Sequence, residues 1–263
     1  MENKLAIVTG GSSGIGAEFA RQLAQKGYDL LLVSNQPEAL EAMKVEIEQL
    51  APEVTCNIMN QNLATADAAE MVMNRCREIG KDPEVLINNA GIFTFKEILD
   101  HDERYIDLYI NLHVATVARL CYTVGKMMRE KGHGYILNMS SMSVWMPMPT
   151  IGFYASTKAF IRVFTRSLHY ELRDHGVKVM VACPGGLATD LFGLPKKWQK
   201  VGVAIGALTS PHAFVKGALK RLFKGKKQYV NGLFNRISIV AVASLPTWFI
   251  MWAKHKILEK IKR

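Results

Sequence analysis

Six short and nearly unbroken apolar runs recur along the chain, and they constrain its fold more than any other feature. Because the runs do not alternate between apolar and polar residues, they predict strands that are buried on both faces, as in a parallel sheet. The segments between them, such as 14–27, 37–50, 102–131 and 152–175, are long enough to form crossover helices. This β-α-β-α order predicts an α/β protein with a doubly wound parallel sheet, the Rossmann fold. The predicted strands are KLAIVTG, DLLLVS, TCNIMN, EVLINNAG, GYILNMSS and VKVMVACPG.

The length of the chain favours a single domain. A chain of 263 residues can bury one large core, and this sequence has neither an internal repeat nor a flexible linker. We predict a main Rossmann domain over residues 1–232, with a lid at about 188–208, and a helical C-terminal extension over residues 233–263. The first residues, MENKLAIVTGG, contain charges and lead directly into a strand. We therefore expect no secretory signal and a mature protein that begins at Met1.

The basic charge of the chain is confined to its last quarter. Residues 196–263 contain 15 lysines and arginines and a single acid, Glu259, whereas the whole chain carries a net charge of +10. Residues 1–195 therefore have a small acidic excess. This asymmetry indicates a local basic surface and gives no support for nucleic-acid binding.

The cysteines are widely spaced. Cys56, Cys76, Cys121 and Cys183 form no CxxC pair and no metal-ligand pattern with histidines. We predict reduced thiols in the core of a cytoplasmic protein, and no metal site.

A glycine-rich turn, TGGSSGIG at residues 9–16, follows the first predicted strand and precedes a helix. Glycine allows a sharp turn, close approach to a diphosphate and close packing of helix on strand. The N-terminus of the helix presents free amides and a positive dipole end to phosphate. A tight strand-to-helix turn needs glycine for its shape alone, but at this place in a doubly wound pattern it predicts nucleotide binding.

The segment FYASTKAF, residues 153–160, places Tyr154 and Lys158 one helical turn apart. Such a pair alone is compatible with an ordinary exposed helix face. However, NNAG (88–91), NMSS (138–141) and PGG (184–186) each follow a predicted strand. Ligands of open α/β sheets bind beyond the carboxyl ends of the strands. We therefore expect these stretches, the glycine-rich turn and the tyrosine–lysine pair to meet in one catalytic crevice.

Together these motifs resemble those of the short-chain dehydrogenase/reductase family. The resemblance covers residues 4 to about 190 and comprises TGxxxGIG, NNAG, an asparagine in the following helix, a serine before the tyrosine, YxxxK and the PG after the sixth strand. It implies an NAD(P)-dependent oxidoreductase that acts on alcohols or carbonyls. The domain over residues 1–232 is then the dinucleotide-binding and catalytic unit.

The resemblance also implies a catalytic tetrad of Asn111, Ser141, Tyr154 and Lys158. Ser140 and Ser143 are close rivals for the serine role, and the spacing to Tyr154 ranks Ser141 first. Asn111 is expected to anchor a water that passes protons from Lys158 to solvent. The alternative for Asn111 is a polar side chain that only faces a turn.

The pairing of a phenol with an ammonium group suits proton transfer to and from an alcohol. A tyrosine with an unperturbed pKa near 10 is a good acid but a poor base at neutral pH. We expect Lys158 to favour the phenolate and lower the pKa of Tyr154, so that the phenol both gives and takes a proton. Ser141 is expected to donate a hydrogen bond to the substrate carbonyl. By resemblance, Lys158 also binds the nicotinamide ribose.

The predicted cofactor is a nicotinamide dinucleotide, with NADP(H) slightly favoured over NAD(H). Relatives that use NAD usually have an acid at the end of the second strand, which contacts the ribose 2′-hydroxyl. This chain has VSNQPE there, and the absence of an acid removes the main repulsion against a 2′-phosphate. Asn62 replaces an aspartate that the family often has near the adenine. The predicted cofactor contacts are Thr9, Gly10, Ser12, Ser13, Gly14, Ile15, Gly16, Ser34, Asn35, Asn62, Leu63, Asn89, Ala90, Gly91, Tyr154, Lys158, Pro184, Gly185, Leu187 and Thr189.

The C-terminal part combines a lid-like segment with an apolar and basic tail. DLFGLPKKWQKVGVAIGAL offers apolar side chains to a large hydrophobic substrate or, equally, covers the core. ISIVAVASLPTWFIMWA is uncharged but is interrupted by Pro246, so it favours a helix pair over a membrane span. With the basic KHKILEKIKR that follows, it suits docking on the anionic inner face of a membrane. It suits a partner-subunit interface of a homodimer or homotetramer nearly as well.

Three functions are compatible with these features. The first is reduction of a hydrophobic carbonyl compound, such as a lipid-like, 3-oxoacyl or steroid-like ketone, or the reverse oxidation. The second is a 3-oxoacyl reductase that depends on an acyl carrier protein, with the basic tail as its dock. The third is a non-catalytic nucleotide-binding membrane scaffold, which the intact tyrosine–lysine pair argues against.

Overall fold

A parallel sheet forms the centre of the computed structural model, which describes residues 4–146, 148–188, 195, 197–198, 201, 203 and 208–261. Within this part of the chain the sheet has seven strands in the order β3-β2-β1-β4-β5-β6-β7. All six predicted strands are confirmed, and the QYV segment adds a short parallel edge strand. The strands are β1 (Leu5–Thr9), β2 (Asp29–Ser34), β3 (Cys56–Asn60), β4 (Pro83–Asn88), β5 (Gly134–Met139), β6 (Val177–Ala182) and β7 (Gln228–Tyr229).

Helices connect the strands and cover both faces of the sheet. The helix predicted over 102–131 contains a π-helical turn at Ile110–Ala115, between α4 and α5. The helices are α1 (Gly14–Ala24), α2 (Pro37–Leu50), α3 (Ala68–Ile79), α4 (Arg104–Tyr109), α5 (Thr116–Lys131), α6 (Gly152–Arg173), α7 (Pro211–Phe223), α8 (Leu233–Ala243) and α9 (Thr247–Ile261).

Two hydrophobic clusters explain why the strands read as unbroken apolar runs. Ala6 and Val8 belong to the cluster under α1, α2 and α7, whereas their neighbours Leu5 and Ile7 belong to the cluster on the opposite face. Successive side chains of a strand point to opposite faces, and here both faces are dry. Burial of an apolar side chain of this size contributes about 1.5–3 kcal/mol. The buried strand side chains therefore contribute strongly to the stability of the fold.

The order of strands places a crevice at the carboxyl edge of the sheet. The chain crosses from β1 through β2 to β3 on one side and returns to pair β4 with the other side of β1. The loops that follow β1 and β4 therefore diverge at this point. Such a switch point is where open α/β sheets bind their ligands.

Helices α8 and α9 lie against the main body of the protein. Ile239 packs on the core, and the Asn235 amide donates a hydrogen bond to the backbone carbonyl of Asn231. Lys254 forms an ion pair of 2.5 Å with Glu97. Among the described residues, no helix is both long and apolar enough to cross a membrane.

Candidate active site

The polar and glycine-rich strand ends meet in one cleft of about 430 Å³. Both the glycine-rich turn and the tyrosine–lysine pair contribute to its walls, as the sequence predicts. Most of the predicted cofactor contacts lie in this lining. They are Gly10, Ser12, Ser13, Gly14, Ile15, Ser34, Asn35, Asn62, Leu63, Asn89, Ala90, Gly91, Tyr154, Lys158, Pro184, Gly185 and Leu187.

The glycine-rich turn forms a tight cradle at one end of the cleft. A Cβ atom on Gly16 would lie 1.9 Å from the backbone oxygen of Gly10, so only glycine fits there. Gly10 and Gly14 have φ angles of +64° and +55°, which favour glycine as well. Helix α1 begins at Gly14, and its free amides and positive dipole end suit a diphosphate. The residues present therefore fit the phosphates of a dinucleotide.

Thr9 and Gly16 lie behind the lining and support it. The Thr9 hydroxyl oxygen accepts hydrogen bonds from the backbone N–H groups of Asn89 at 2.9 Å and Ala90 at 3.1 Å. The Asn89 side chain donates in turn to the Thr9 carbonyl at 3.1 Å. These bonds fix the NNAG loop against the end of β1. Thr189, the remaining predicted contact, lies outside the described residues.

Tyr154 and Lys158 lie on α6 and face the cleft. Their relative exposures are only 6% and 4%, which excludes the ordinary exposed helix pair. The Lys158 ammonium donates a hydrogen bond of 2.9 Å to the Met139 carbonyl and lies 5.7 Å from the centroid of the Tyr154 ring. The last residue of β5 therefore holds the lysine beside the phenol.

Burial dominates the protonation of this pair. It raises the pKa of Tyr154 to about 12, and a hydrogen bond with Ser141 lowers that pKa only in part. The sequence predicted a lowered pKa for this phenol, and that prediction is wrong for the structure described here. Burial also lowers the pKa of Lys158 to about 8. Desolvation is the largest cause of both shifts.

The three candidate serines have different surroundings. Ser140 donates a hydrogen bond of 2.7 Å to the Lys158 carbonyl, which occupies its proton. The Ser141 oxygen accepts from the Ser143 backbone N–H at 3.1 Å, and the Ser141 hydroxyl is a hydrogen-bond partner of the Tyr154 phenol. Ser143 lines a second cavity, and among the described residues its hydroxyl oxygen is buried without a hydrogen-bond partner. Of the three, Ser141 alone combines a place in the cleft with a hydrogen bond to the Tyr154 phenol.

Asn111 lies in the π-helical turn and is only partly buried. It is not among the described residues that line the cleft, although Leu108 and Leu112 of the same helical stretch are. The structure therefore brings together three members of the predicted tetrad and leaves Asn111 beside them.

The end of β2 forms an uncharged wall of the cleft. The Ser12 hydroxyl lies 2.9 Å from that of Ser34 and donates to the Gln36 side-chain oxygen at 3.1 Å. Among the described lining residues at this end, none is acidic or basic. The wall would neither repel a phosphate nor attract one by net charge.

Several lining residues were not predicted. Gln36 and Gln61 each adjoin a predicted contact in the sequence, so a wider window around each strand end would have included them. Leu108 and Leu112 have the i, i+4 spacing of one helix face, but nothing in the sequence says which ligand that face meets. The additional lining residues are Gln36, Gln61, Ile92, Leu108, Leu112 and Met139, together with Ser140, which the sequence offered as a rival for the catalytic serine.

Aromatic rings surround the phenol. The Phe93 ring meets the Tyr154 ring edge to face at 5.0 Å, and Phe95 meets Phe93 at 4.5 Å. Phe95 is also exposed to solvent. Phe93 and Phe95 therefore form an apolar cluster that covers one side of the phenol.

A doubly wound sheet with a phosphate-binding turn and a buried tyrosine–lysine pair at its switch point defines a nucleotide-dependent oxidoreductase. The family model described as short chain dehydrogenase matches residues 4–200. The chain therefore belongs to the short-chain dehydrogenase/reductase family. It transfers hydride between a nicotinamide cofactor and an alcohol or carbonyl carbon of a small molecule.

Similar proteins support this assignment. The very-long-chain 3-oxoacyl-CoA reductase of Bos taurus is 31% identical over 252 residues, which cover 92% of this chain and 76% of the relative. The 17-beta-hydroxysteroid dehydrogenase type 3 of Danio rerio is 29% identical over 98% of this chain and 83% of the relative. A short-chain dehydrogenase from Sphingobium yanoikuyae, solved in complex with NADPH, shares the fold. Its TM-score is 0.77 at 24% identity, over 98% of this chain and 95% of that one.

Proposed function

We propose that this protein uses NADPH to reduce a hydrophobic ketone, with a long-chain 3-oxoacyl thioester as the favoured class and a steroid-like ketone as the second. The observation that carries the proposal is the buried phenol of Tyr154, which lies beside Lys158 and packs against the Phe93 ring, in an apolar cluster that includes Phe95. The similarity to reductases of very-long-chain 3-oxoacyl-CoA and to a hydroxysteroid dehydrogenase supports the same substrate classes.

The cofactor would lie along the cleft with its diphosphate at the glycine-rich turn. Ser34 and Asn35 would face the adenosine ribose, Asn62 and Leu63 the adenine, and Gly185 the nicotinamide end. When bound, NADPH supplies the hydride that the ketone carbon receives. The protein's own groups bind and orient the substrate and manage the proton.

Tyr154 would act as the general acid. Because burial raises its pKa to about 12, the phenol carries its proton at neutral pH and is ready to protonate the alkoxide. Reduction leaves Tyr154 as a phenolate, and the Lys158 ammonium beside it would stabilise that charge until a proton returns. Ser141 would donate to the carbonyl oxygen and stabilise the developing negative charge. Lys158 would hold the ribose with its remaining ammonium protons, and Asn111 would support a water that returns protons to the site.

A screen of ketones with both cofactors tests the proposal. We expect kcat/KM with NADPH to rise with acyl chain length along a series of 3-oxoacyl-CoA thioesters. The same chains on an acyl carrier protein form the second arm, and faster turnover there would favour the carrier-dependent alternative. Binding of NADPH without turnover of any ketone would favour the non-catalytic scaffold and contradict the proposal.

Cofactor preference provides a second test. We expect the unmodified protein to bind NADPH at least as tightly as NADH, because the wall around Ser34 contains no acid. The substitution Asn35→Asp is expected to weaken NADPH binding about 10-fold relative to NADH, since it places a carboxylate against the 2′-phosphate. Calorimetry with both cofactors measures this. Asn74→Asp on the remote helix α3 is a control for the change in net charge, and a preference of the unmodified protein for NADH would contradict the proposal.

We also propose that α8 and α9 dock this protein on the anionic, cytoplasmic face of a membrane. Large apolar side chains are exposed along both helices, with Trp248 at 70% relative exposure. On α8 they have the spacing of one helix face, and on α9 they cluster within five residues. The excess of basic residues in the same part of the chain would attract acidic headgroups, at about 1 kcal/mol for each basic residue near the surface. The exposed apolar residues are Leu233, Ile237, Val240, Trp248, Met251 and Trp252.

Vesicle co-sedimentation tests this docking. Binding is expected to require acidic lipid, to weaken with salt, and to fall at least about 5-fold in the double variant Trp248→Ser, Trp252→Ser. Tyr122→Ser removes an exposed aromatic residue from α5 and is the matched control. Light scattering on the same samples reports the oligomer. The membrane proposal is wrong if the unmodified protein does not bind vesicles and the tryptophan variant loses a homodimer or homotetramer. The apolar face is then a subunit interface.

A further inference from the structure

His113 lies in the π-helical turn directly behind the catalytic pair. Its side chain is completely buried, with 0% relative exposure. It touches two parts of the site at once, the loop that follows NNAG and helix α6. A Cβ atom on Gly91 would come within 3.0 Å of its Nε2 atom and 3.4 Å of the Lys158 ammonium. The imidazole therefore packs beside both Gly91, the last residue of NNAG, and the Lys158 ammonium.

The hydrogen bonds of this imidazole allow one arrangement of protons. The backbone N–H of Ile92 donates to Nε2 at 3.0 Å, so Nε2 carries no proton. The neutral ring then has its proton on Nδ1, which lies 2.9 Å from the Thr157 hydroxyl oxygen and donates to it. The Thr157 hydroxyl proton goes to the Tyr154 carbonyl at 3.0 Å. This chain of hydrogen bonds runs from Ile92, in the loop that follows NNAG, to the backbone carbonyl of Tyr154.

The surroundings keep the imidazole neutral. Burial and the positive charge of Lys158 lower the pKa of His113 well below its usual value. The ionisable groups that face it are Lys158 and Tyr154 of α6 and Tyr109 of its own helical stretch, and none of them is an acid that would favour the charged ring. Protonation of the ring would also point an Nε2–H group at the Ile92 N–H and break the hydrogen bond between them.

We propose that His113 is a positioning residue for the reaction: through its fixed neutral tautomer it sets α6, and with it Tyr154 and Lys158, at a defined distance from the cleft-lining loop at Gly91 and Ile92. This inference rests on the proposed reductase function, because its value lies in aligning the proton donor with the carbon that receives hydride. Small displacements of aligned groups lower rates strongly, and about 1 Å can cost 100-fold.

Substitutions at His113 and Thr157 test the link. We expect His113→Phe to lower kcat by about 10- to 100-fold while the KM for the ketone changes little. His113→Gln keeps an acceptor near the Nε2 position and is expected to recover most of the rate. Thr157→Val in the His113→Phe background is expected to add no further loss, because the link is already broken. The proposal would be overturned if the losses of kcat from His113→Phe and Thr157→Val multiplied in the double variant. An unchanged kcat in His113→Phe would overturn it as well.

A second measurement is independent of turnover. Nitrogen-15 NMR of labelled histidine is expected to show a protonated Nδ1 and an unprotonated Nε2 for His113 from pH 8 down to pH 6. Thr157→Val is expected to shift the Nδ1 signal, while the Nε2 signal stays nearly constant. A proton on Nε2 or a charged ring in this range would overturn the proposal. If no ketone is turned over but this pattern is seen, the reductase function fails while the tautomer assignment stands.

Discussion

Replacing Tyr154 with phenylalanine is expected to lower kcat by at least about 100-fold, the low end for loss of a general acid, and to leave the Kd for NADPH within about two-fold. The substitution removes one hydroxyl and keeps the ring, whose edge-to-face contact with Phe93 at 5.0 Å holds it in place. Without the phenol, the alkoxide has no buried proton donor. Stopped-flow reduction and calorimetric binding of NADPH measure the two quantities.

Tyr122→Phe is the control for this substitution, because Tyr122 is an exposed tyrosine on α5. Its kcat is expected to equal that of the unmodified protein. A Tyr154→Phe enzyme that kept more than about a hundredth of the rate would show that another group delivers the proton.

Replacing Lys158 with methionine is expected to abolish turnover and also to raise the Kd for NADPH by at least about 10-fold. Methionine has nearly the length of the lysine stem, but it has no donors for the ribose and loses the 2.9 Å bond to the Met139 carbonyl. The loss of both binding and rate distinguishes Lys158 from Tyr154. Lys126→Met, on the exposed face of α5, is expected to change neither.

The stability of the Lys158→Met variant separates loss of function from loss of fold. The pKa of Lys158 is lowered to about 8, so below that pH the buried ammonium is protonated and costs folding free energy. The cost disappears only as the pH rises toward the value of an unfolded lysine. We therefore expect the variant at pH 7 to melt no lower than the unmodified protein. A large fall in Tm would mean that the ammonium supports the fold itself.

The sequence predicted the sheet well because burial on both faces leaves a direct mark on composition. Leu30 to Val33 are apolar without a break, and adjacent residues of that strand pack into opposite clusters. The glycine-rich turn could be predicted for a similar reason, since a side chain at Gly16 would collide with the backbone. The buried strands and the glycine-rich turn each restrict the residue type at single positions, and such restrictions can be read directly from a sequence.

Protonation and side-chain partners were harder to predict, because they depend on residues far apart in the chain. The pKa of Tyr154 is set by burial to which Phe93 contributes, a residue some sixty positions earlier. The three serines have similar sequence contexts and differ only in the partners that the fold gives them. His113 carried no signal, because a single histidine in a helix has no distinctive pattern. The predicted lid lies mainly outside the described residues, and the predicted division at residue 232 stays a prediction.

We expect hydride to pass from NADPH to the carbonyl carbon of a long-chain 3-oxoacyl thioester, with Tyr154 as the proton donor. The most direct measurement uses NADPH in which both hydrogens at nicotinamide C4 are deuterium, with mass spectrometry of the product. We expect the unmodified protein to place one deuterium at C3 of the hydroxyacyl product. Tyr154→Phe is expected to form this labelled product at least about 100-fold more slowly. An unlabelled hydroxyacyl product, or formation of labelled product at equal rates by the two proteins, would contradict the account.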